Sequence, residues 1–264
     1  NNGSRLFGPA VGGLLLAVGG MPGVLGAGVV LYLVVLSALA GLPRQEDIAP
    51  SGLRMAAPWT QLLEGVRVAR KTPRLSGTLC NTILFNLFCW PALSMVPVVG
   101  QERLKLGTQG VGLLASMDGL GALIGAVLLM SLARHARHGQ VYMGGTFLFL
   151  LMLPVFALST YPVLSGVALI GLGLGQGMFA VMQATLVYLA VAHEQRHKAM
   201  GLMTVCIGTS PLGFLQVGWL AEHLGATGAC LITTAAGVVS LALTWKVWRA
   251  VWRDAPVTYT EAAP

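Results

Sequence analysis

Long apolar segments alternate with short polar connections along this chain, and nearly all of its charged residues lie in the connections. A bilayer core about 30 Å thick is crossed by roughly 20 residues of α-helix. We predict a membrane span for each apolar segment of about that length, namely residues 6–21, 23–42, 76–99, 110–132, 141–159, 163–190, 200–220 and 226–248. The pattern therefore predicts an all-α fold, a polytopic membrane bundle with eight transmembrane helices.

One connection, residues 43–75, is much longer than the others and separates the first two spans from the following six. Its first half is rich in proline and polar residues, which is typical of a linker. In its second half Pro58 can begin a helix, and apolar residues then recur at intervals of three and four. These are Trp59, Leu62, Leu63 and Val66, opposite Glu64, Arg67 and Lys71. We predict an amphipathic helix on the membrane surface or the base of the bundle; the alternative is a solvated connector.

The composition agrees with a membrane protein. Charged residues make up 9% of the chain and hydrophobic residues 55%, a balance too poor in charge to cover a soluble globule of 264 residues. Lipid is therefore expected to cover much of the surface.

The basic residues predict the orientation. If connections alternate between the two sides, fourteen of the 16 Lys and Arg residues share one side, and only Arg103 and Lys105 lie on the other. Basic residues favour the cytoplasmic side, so we predict a multi-pass protein of the plasma (inner) membrane with both ends of this chain in the cytoplasm. The net charge of +7 then reflects topology. Because the basic residues are scattered and lack an aromatic platform, nucleic acid is not expected as a partner.

The first span carries an unusual motif, Arg5-x-x-Gly8-Pro9-x-x-Gly12-Gly13. Its small residues allow close helix packing, and its proline favours a bend. The motif resembles the fifth-helix motif of exporters of the major facilitator superfamily. The resemblance implies that Arg5, Gly8, Pro9, Gly12 and Gly13 shape a moving interface between helices.

Three further segments resemble the enterobactin-exporter-like branch of that superfamily. They are Leu63-Glu64-Gly65 with Arg70-Lys71-Thr72-Pro73, Glu194-x-Arg196-x-Lys198-x-Met200-Gly201, and Pro211-Leu212-Gly213 with Gly218, Ala221 and Gly225. The resemblance numbers the eight spans as helices five to twelve of a twelve-helix fold, so we expect a chain truncated at its N-terminus.

The resemblance also divides the chain into four regions. Residues 1–42 hold the last two helices of an N-terminal bundle and 43–75 the central cytoplasmic loop. Residues 76–248 form a six-helix C-terminal bundle and 249–264 a cytoplasmic tail. It implies proton-driven efflux of a hydrophobic or amphipathic small molecule, and we expect the full-length protein to be a monomer in the bilayer.

Polar residues inside the predicted spans are candidates for the transport path, because each is costly in lipid. Asp118 lies on the same helix face as Gly121 and Gly125. We interpret it as a carboxylate that carries a proton or recognises a cation; the alternative is a structural, hydrogen-bonded Asp.

Five side-chain amides can join this path. Gln176 and Gln183 share one helix face, whereas Asn81 and Asn86, five residues apart, point in different directions. The fifth is Gln216. They line a polar cavity or, alternatively, form hydrogen bonds between helices.

A rival hypothesis comes from His193-Glu194-Gln195-Arg196-His197, an H-E-x-x-H sequence. On a helix this spacing places two imidazoles together for zinc, with Glu194 as general base of a membrane metallopeptidase and Glu222 as a third ligand. The short connection, the intervening Arg196 and the position of Glu222 at the other end of a span argue against it. A non-transporting membrane protein is the other alternative.

No cofactor is expected. Glycines at 171, 173, 175 and 177 lie in mid-span without the Lys-Ser/Thr of a phosphate-binding loop, and we interpret them as sites of close helix packing. Energy for transport would then come from an ion gradient, of protons or another ion, and not from ATP. The four cysteines lie within spans without a C-x-x-C pair, so neither a disulfide nor a metal role is predicted.

Overall fold

The computed structural model describes residue 15 and residues 22–38, 58–132 and 137–253. Within these ranges the chain is helical apart from short turns, and no strand occurs in them. The α-helices are α1 (Pro22–Ala38), α2 (Pro58–Lys71), α3 (Pro73–Leu84), α4 (Val96–Glu102), α5 (Thr108–Leu132), α6 (His138–Leu158), α7 (Pro162–Ala190), α8 (Arg196–Ile207), α9 (Ser210–Leu243) and α10 (Trp245–Trp252). The all-α prediction is confirmed for the described residues. The first predicted span lies outside them, apart from Leu15.

Five segments in the described ranges are long and apolar enough to cross a membrane. They are Pro73–Glu102, Thr108–Leu129, His138–Leu158, Pro162–Ala190 and His193–Leu243, and α1 is a shorter apolar helix. The last segment has 51 residues and contains a break at Gly225, whose φ of 71° and ψ of 168° are not helical. One straight helix of that length would measure roughly 75 Å, well beyond the thickness of a bilayer. The total of eight spans stays a prediction.

The chain reverses direction at the break in α9. Just beyond it, Thr227 accepts a hydrogen bond from the guanidinium of Arg103, which also donates to the carbonyl oxygen of Ser159 at the end of α6. Val251 of α10 packs against Gly139 at the beginning of α6. Residues after Gly225 therefore run antiparallel to α6 from one end of the bundle to the other.

The third predicted span, residues 76–99, is not a regular helix. After α3 the backbone makes a π-helical turn at Phe85–Cys89 and a 3₁₀ turn at Trp90–Met95 before α4 begins. Pro91 and Pro97 cannot donate the backbone hydrogen bonds that an uninterrupted α-helix needs. Gly213 of α9 packs here, so closely that a methyl group on it would lie 2.6 Å from the carbonyl oxygen of Leu87. The irregular backbone is thus a contact surface for α9.

A very close backbone contact joins α5 and α7. A methyl group at Gly173 would collide with the carbonyl oxygen of Asp118, and one at Gly121 would collide with that of Ile170. At Gly177 a methyl group would lie 2.8 Å from another carbonyl oxygen of α5. Small residues four apart on both helices thus let the two backbones touch.

The opposite face of α7 packs against α6 in the same way. A methyl group at Gly175 would lie 2.5 Å from the carbonyl oxygen of Gly145, and one at Gly171 would lie 2.7 Å from the side chain of Met152. Residues two apart on an α-helix point in nearly opposite directions. The four alternating glycines therefore serve two neighbours at once, and their predicted role in close packing is confirmed.

Helix α2 begins at Pro58, as predicted, and small residues take part in its packing. Gly65 and Ala69 are buried, and Ala69 belongs to a core cluster with residues of α3, α7 and α8. Leu63, which the spacing placed on the apolar face, is 67% exposed. Val66, which the spacing also placed on the apolar face, packs against the same cluster. The backbone of α2 comes close to α8 at Gly65, where a methyl group would lie 3.1 Å from the carbonyl oxygen of Lys198.

Substitution of Gly173 by alanine should destabilise the bundle, because the added methyl group can be accommodated only if α5 and α7 separate. We expect a loss of roughly 1–3 kcal/mol, as for other overpacked cores. Gly218→Ala is the matched control, since nothing lies within 4 Å of a methyl group there. Thermal unfolding of the purified variants in detergent should show a lower Tm for Gly173→Ala only; equal Tm values would contradict the contact.

Candidate functional site

A cluster of polar side chains is buried where α3, α6 and α7 meet. Asn81 and Thr82 of α3, Tyr142 and Thr146 of α6, and Gln183 of α7 form it, and none is more than 9% exposed. The Asn81 amide donates to Thr146 Oγ1 at 3.0 Å, and the Gln183 amide donates to Thr82 Oγ1 at 3.1 Å. The hydroxyls of Thr82 and Tyr142 lie 2.9 Å apart and share a hydrogen bond. We call these five residues the polar cluster.

The polar cluster is covered by aromatic rings. Tyr142 stacks on Phe179 of α7 with ring centroids 4.9 Å apart, and Phe179 stacks on Phe85 at 3.8 Å. A fourth ring, Phe149, meets Phe85 edge to face at 5.3 Å. Polar groups in so apolar a setting are tolerated because they bond one another. In this conformation the cluster joins three helices.

Of the predicted amides, Asn81 and Gln183 thus come together in the polar cluster. Gln176, two turns before Gln183, is buried on the same face of α7, with Phe179 between them. This face looks toward α3, because the two glycine faces of the helix are occupied by α5 and α6.

Asn86 points elsewhere, as its five-residue separation from Asn81 requires. Its side-chain amide donates to the carbonyl oxygen of Thr82 at 2.9 Å, and its side-chain oxygen accepts a hydrogen bond from the Ser210 hydroxyl of α9 at 2.8 Å. Gln216, further along α9, is half-buried. Asn86 therefore connects the π-helical turn to α9 rather than to the polar cluster.

Asp118 is half-buried on α5, a helix that contributes no residue to the polar cluster. Its carbonyl oxygen packs on Gly173, at the tight contact with α7. Asp118 is therefore not a member of the polar cluster, although its turn of α5 touches α7, the helix that carries Gln176 and Gln183. The motif of Arg5, Gly8, Pro9, Gly12 and Gly13 lies outside the described residues.

The zinc hypothesis loses its geometric basis. His193 lies in a 3₁₀ turn at His193–Gln195, and α8 begins only at Arg196, so His193 and His197 do not share one α-helix. Among the described residues no three His, Cys, Asp or Glu side chains come together as a metal site. Glu222 is exposed on α9, 25 residues beyond His197 in the chain. All four cysteines are free thiols.

Charged residues lie close together at the end of the bundle that carries α2. Lys198 of α8 forms an ion pair with Glu64 of α2. The hydrogen bond and the positive charge of Lys198 hold the pKa of Glu64 below its ordinary value of 4.5. This pair and the close approach of Gly65 fasten α2 to the base of the bundle.

Comparison with known proteins identifies the family. The family model described as Major Facilitator Superfamily matches two overlapping parts of the chain, residues 1–212 and 101–262. The chain belongs to the major facilitator superfamily. Together with its apolar helices, this makes it an integral, multi-pass membrane protein.

The curated relatives of this major facilitator chain include exporters. An enterobactin exporter, EntS, of Shigella flexneri is 28% identical over 218 residues, which cover 78% of this chain and 49% of the relative. The EntS proteins of Shigella dysenteriae serotype 1 (strain Sd197) and of Escherichia coli O139:H28 are each 27% identical over 221 residues, or 78% of this chain and 50% of theirs. The chain thus spans about half the length of these relatives. No solved structure matches it.

Three residues of the polar cluster were missed in the sequence of this major facilitator protein: Thr82, Tyr142 and Thr146. Hydroxyl side chains in a span attract little attention because they can bond the carbonyl oxygen four residues earlier, as Thr82 does with Thr78 at 2.9 Å. The available signal was spacing. Tyr142 and Thr146 are four residues apart on α6 and so share a face.

Removal of the Tyr142 hydroxyl should weaken the polar cluster without changing its packing. Tyr142→Phe loses the hydrogen bonds to Thr82 and to the carbonyl oxygen of Thr78, and we expect a loss of roughly 0.5–1.5 kcal/mol, as for other hydrogen bonds within membranes. Unfolding in mixed micelles measures the change. Tyr161→Phe, at a ring that is 70% exposed, is the control; an equal effect of the two substitutions would show that the buried hydroxyl is not special.

Attachment of α2 should depend on pH. Because the folded-state pKa of Glu64 is lowered, the ion pair contributes stability above pH 4.5 and loses it as the pH falls through the lowered pKa. Hydrogen exchange, corrected for intrinsic rates, should show protection of α2 that decreases in this acid range. Glu64→Gln should have reduced protection already at neutral pH and no acid transition. A transition of the same size in Glu64→Gln would exclude the ion pair as its cause.

Proposed function

We propose that the intact protein is a secondary active exporter. It moves a hydrophobic or amphipathic small molecule, such as a drug, a siderophore or a metabolite, out of the cell by alternating access, driven by the proton gradient. The observation that carries the proposal is the match to the major facilitator superfamily, with relatives named as exporters of enterobactin.

The proposed architecture has eight spans in this chain, corresponding to helices five to twelve of the family fold. Residues 1–42 complete an N-terminal bundle, 43–75 form the central loop, 76–248 form the C-terminal bundle and 249–264 form the tail. Reversal of the chain at Gly225 supports two spans within 193–248. The end that carries α2 is the cytoplasmic side of the inner membrane, because the basic residues collect there.

Asp118 is the proposed coupling carboxylate. It is the acidic residue in the middle of a span, and its turn of α5 touches α7 directly through Gly173. A change in the charge of Asp118 would act beside this close backbone contact, where a small shift of α5 must also shift α7. Proton binding and helix movement are thereby linked in the proposal.

The amides provide the polar wall of the solute path. Asn86, Gln176 and Gln216 meet the solute in this proposal, while Asn81 joins α3 to α6 and Gln183 joins α7 to α3 in the polar cluster. The role of Arg5, Gly8, Pro9, Gly12 and Gly13 as the moving interface belongs to the same proposal and rests on the sequence motif alone.

Transport assays on the full-length protein test the proposal. In everted membrane vesicles, a proton gradient should drive uptake of enterobactin or of a hydrophobic dye, and collapse of the gradient should stop it. Asp118→Asn should reduce gradient-driven transport at least about tenfold, which corresponds to about 1.4 kcal/mol. Glu222→Gln, at an exposed carboxylate of α9, is the control and should transport normally.

The two parts of the proposal fail separately. Wild-type vesicles that accumulate none of these compounds in response to a gradient would overturn the exporter assignment. Full transport by Asp118→Asn would instead overturn only the role of this carboxylate.

A further inference from the structure

A notch lies between α2 and the beginning of α8, at the end of the bundle opposite Arg103. Its volume is about 400 Å³, within the range of small-ligand sites. Three cationic and three other polar side chains line it: Arg67, Lys71, Lys198, Glu64, Thr72 and Gln195. We call it the basic notch.

The notch has an excess of positive charge. Its one carboxylate, Glu64, is already paired with Lys198. Arg67 influences Glu64 only through its charge, and Lys71 forms no hydrogen bond or ion pair with any described residue. Two exposed cations are thus available to an anion from outside. Thr72 and Gln195 add neutral hydrogen-bonding groups beside them.

The position of the notch favours a lipid over a soluble anion. Lys71 is followed after one residue by Pro73, where the apolar segment Pro73–Glu102 begins, so the notch lies where the chain enters the membrane. Leu63, one turn before Arg67 on α2, is 67% exposed and offers an apolar surface beside the charges. A site with an apolar flank and a cationic centre at the membrane surface matches the chemistry of an anionic lipid.

We propose that the basic notch binds the phosphate group of an anionic membrane lipid, with Arg67 and Lys71 as its cationic contacts. The ion pair between Lys198 and Glu64 holds α2 in place as the outer wall of the site. A bound lipid would hold α2 against α8 more firmly than the ion pair does alone. The site is separate from the proposed solute path, and its occupancy can be measured without any transport assay.

Lipid binding to the purified full-length protein tests this proposal. Native mass spectrometry gives the affinities for phosphatidylglycerol and for zwitterionic phosphatidylcholine, and phosphatidylglycerol should bind more tightly. Each basic residue near a membrane surface contributes enough to change the affinity about fivefold. Lys71→Gln and Arg67→Gln should therefore each weaken phosphatidylglycerol binding about fivefold, and the double variant roughly 25-fold.

Arg70→Gln is the matched control, because Arg70 is an exposed cation on the same helix that does not line the notch. It should change the affinity by less than about twofold if the site is specific, since diffuse attraction affects all basic residues alike. A loss equal to that of Lys71→Gln would overturn the site in favour of diffuse surface charge. Equal affinity for the two lipids would overturn the preference for an anionic headgroup.

Competition with a soluble phosphate compound tests whether the notch recognises a lipid or only a phosphate group. Glycerol phosphate carries the same anionic group without acyl chains and should displace phosphatidylglycerol only at far higher concentration. Displacement at similar concentration would assign the notch to a soluble phosphate compound and overturn the lipid proposal. Unchanged Tm values of the variants in lipid-free detergent confirm that altered binding is not a result of misfolding.

Discussion

Direct backbone contact between α7 and its two neighbours is the constraint on which the rest of this bundle depends. Gly173 and Gly177 admit α5, and Gly171 and Gly175 admit α6 on the opposite face. Within a bilayer, where apolar side chains gain little by leaving lipid, such close packing is a main source of helix association. With two faces occupied, the remaining polar face of α7 is directed at α3.

The polar cluster is a consequence of that arrangement. Once α7 is held, Gln183 meets Thr82, and the rings of Phe179 and Tyr142 close over the hydrogen bonds. The contacts join residues 60 to 101 positions apart in the chain. Such a cluster both stabilises the bundle and limits the ways in which α3 can move relative to α7. In the proposed transport cycle, α5 is then expected to move together with α7, because the two backbones touch.

Some of this could be predicted from the sequence and some could not. Apolar length and the alternating glycines predicted helices and close packing, because both depend on spacing along one segment. The choice of α5 and α6 as partners of α7 depends on tertiary contacts that one sequence does not reveal. Asn81 and Gln183 were found because amides are rare in lipid, whereas Tyr142 was not, because its ring looks like any aromatic core residue. The approach of α2 to α8 could not be predicted, because it depends on the small residue Gly65, which apolar spacing does not mark.

The most direct test of the central claim is an experimental structure of the full-length protein in lipid nanodiscs. The glycine contact predicts α5 and α7 axes closer than the roughly 8–10 Å usual for packed helices. It also predicts that the carbonyl oxygen of Asp118 touches Gly173 while the amide of Gln183 bonds Thr82. A layer of side chains between α5 and α7, or a Gln183 that faces lipid, would contradict the account.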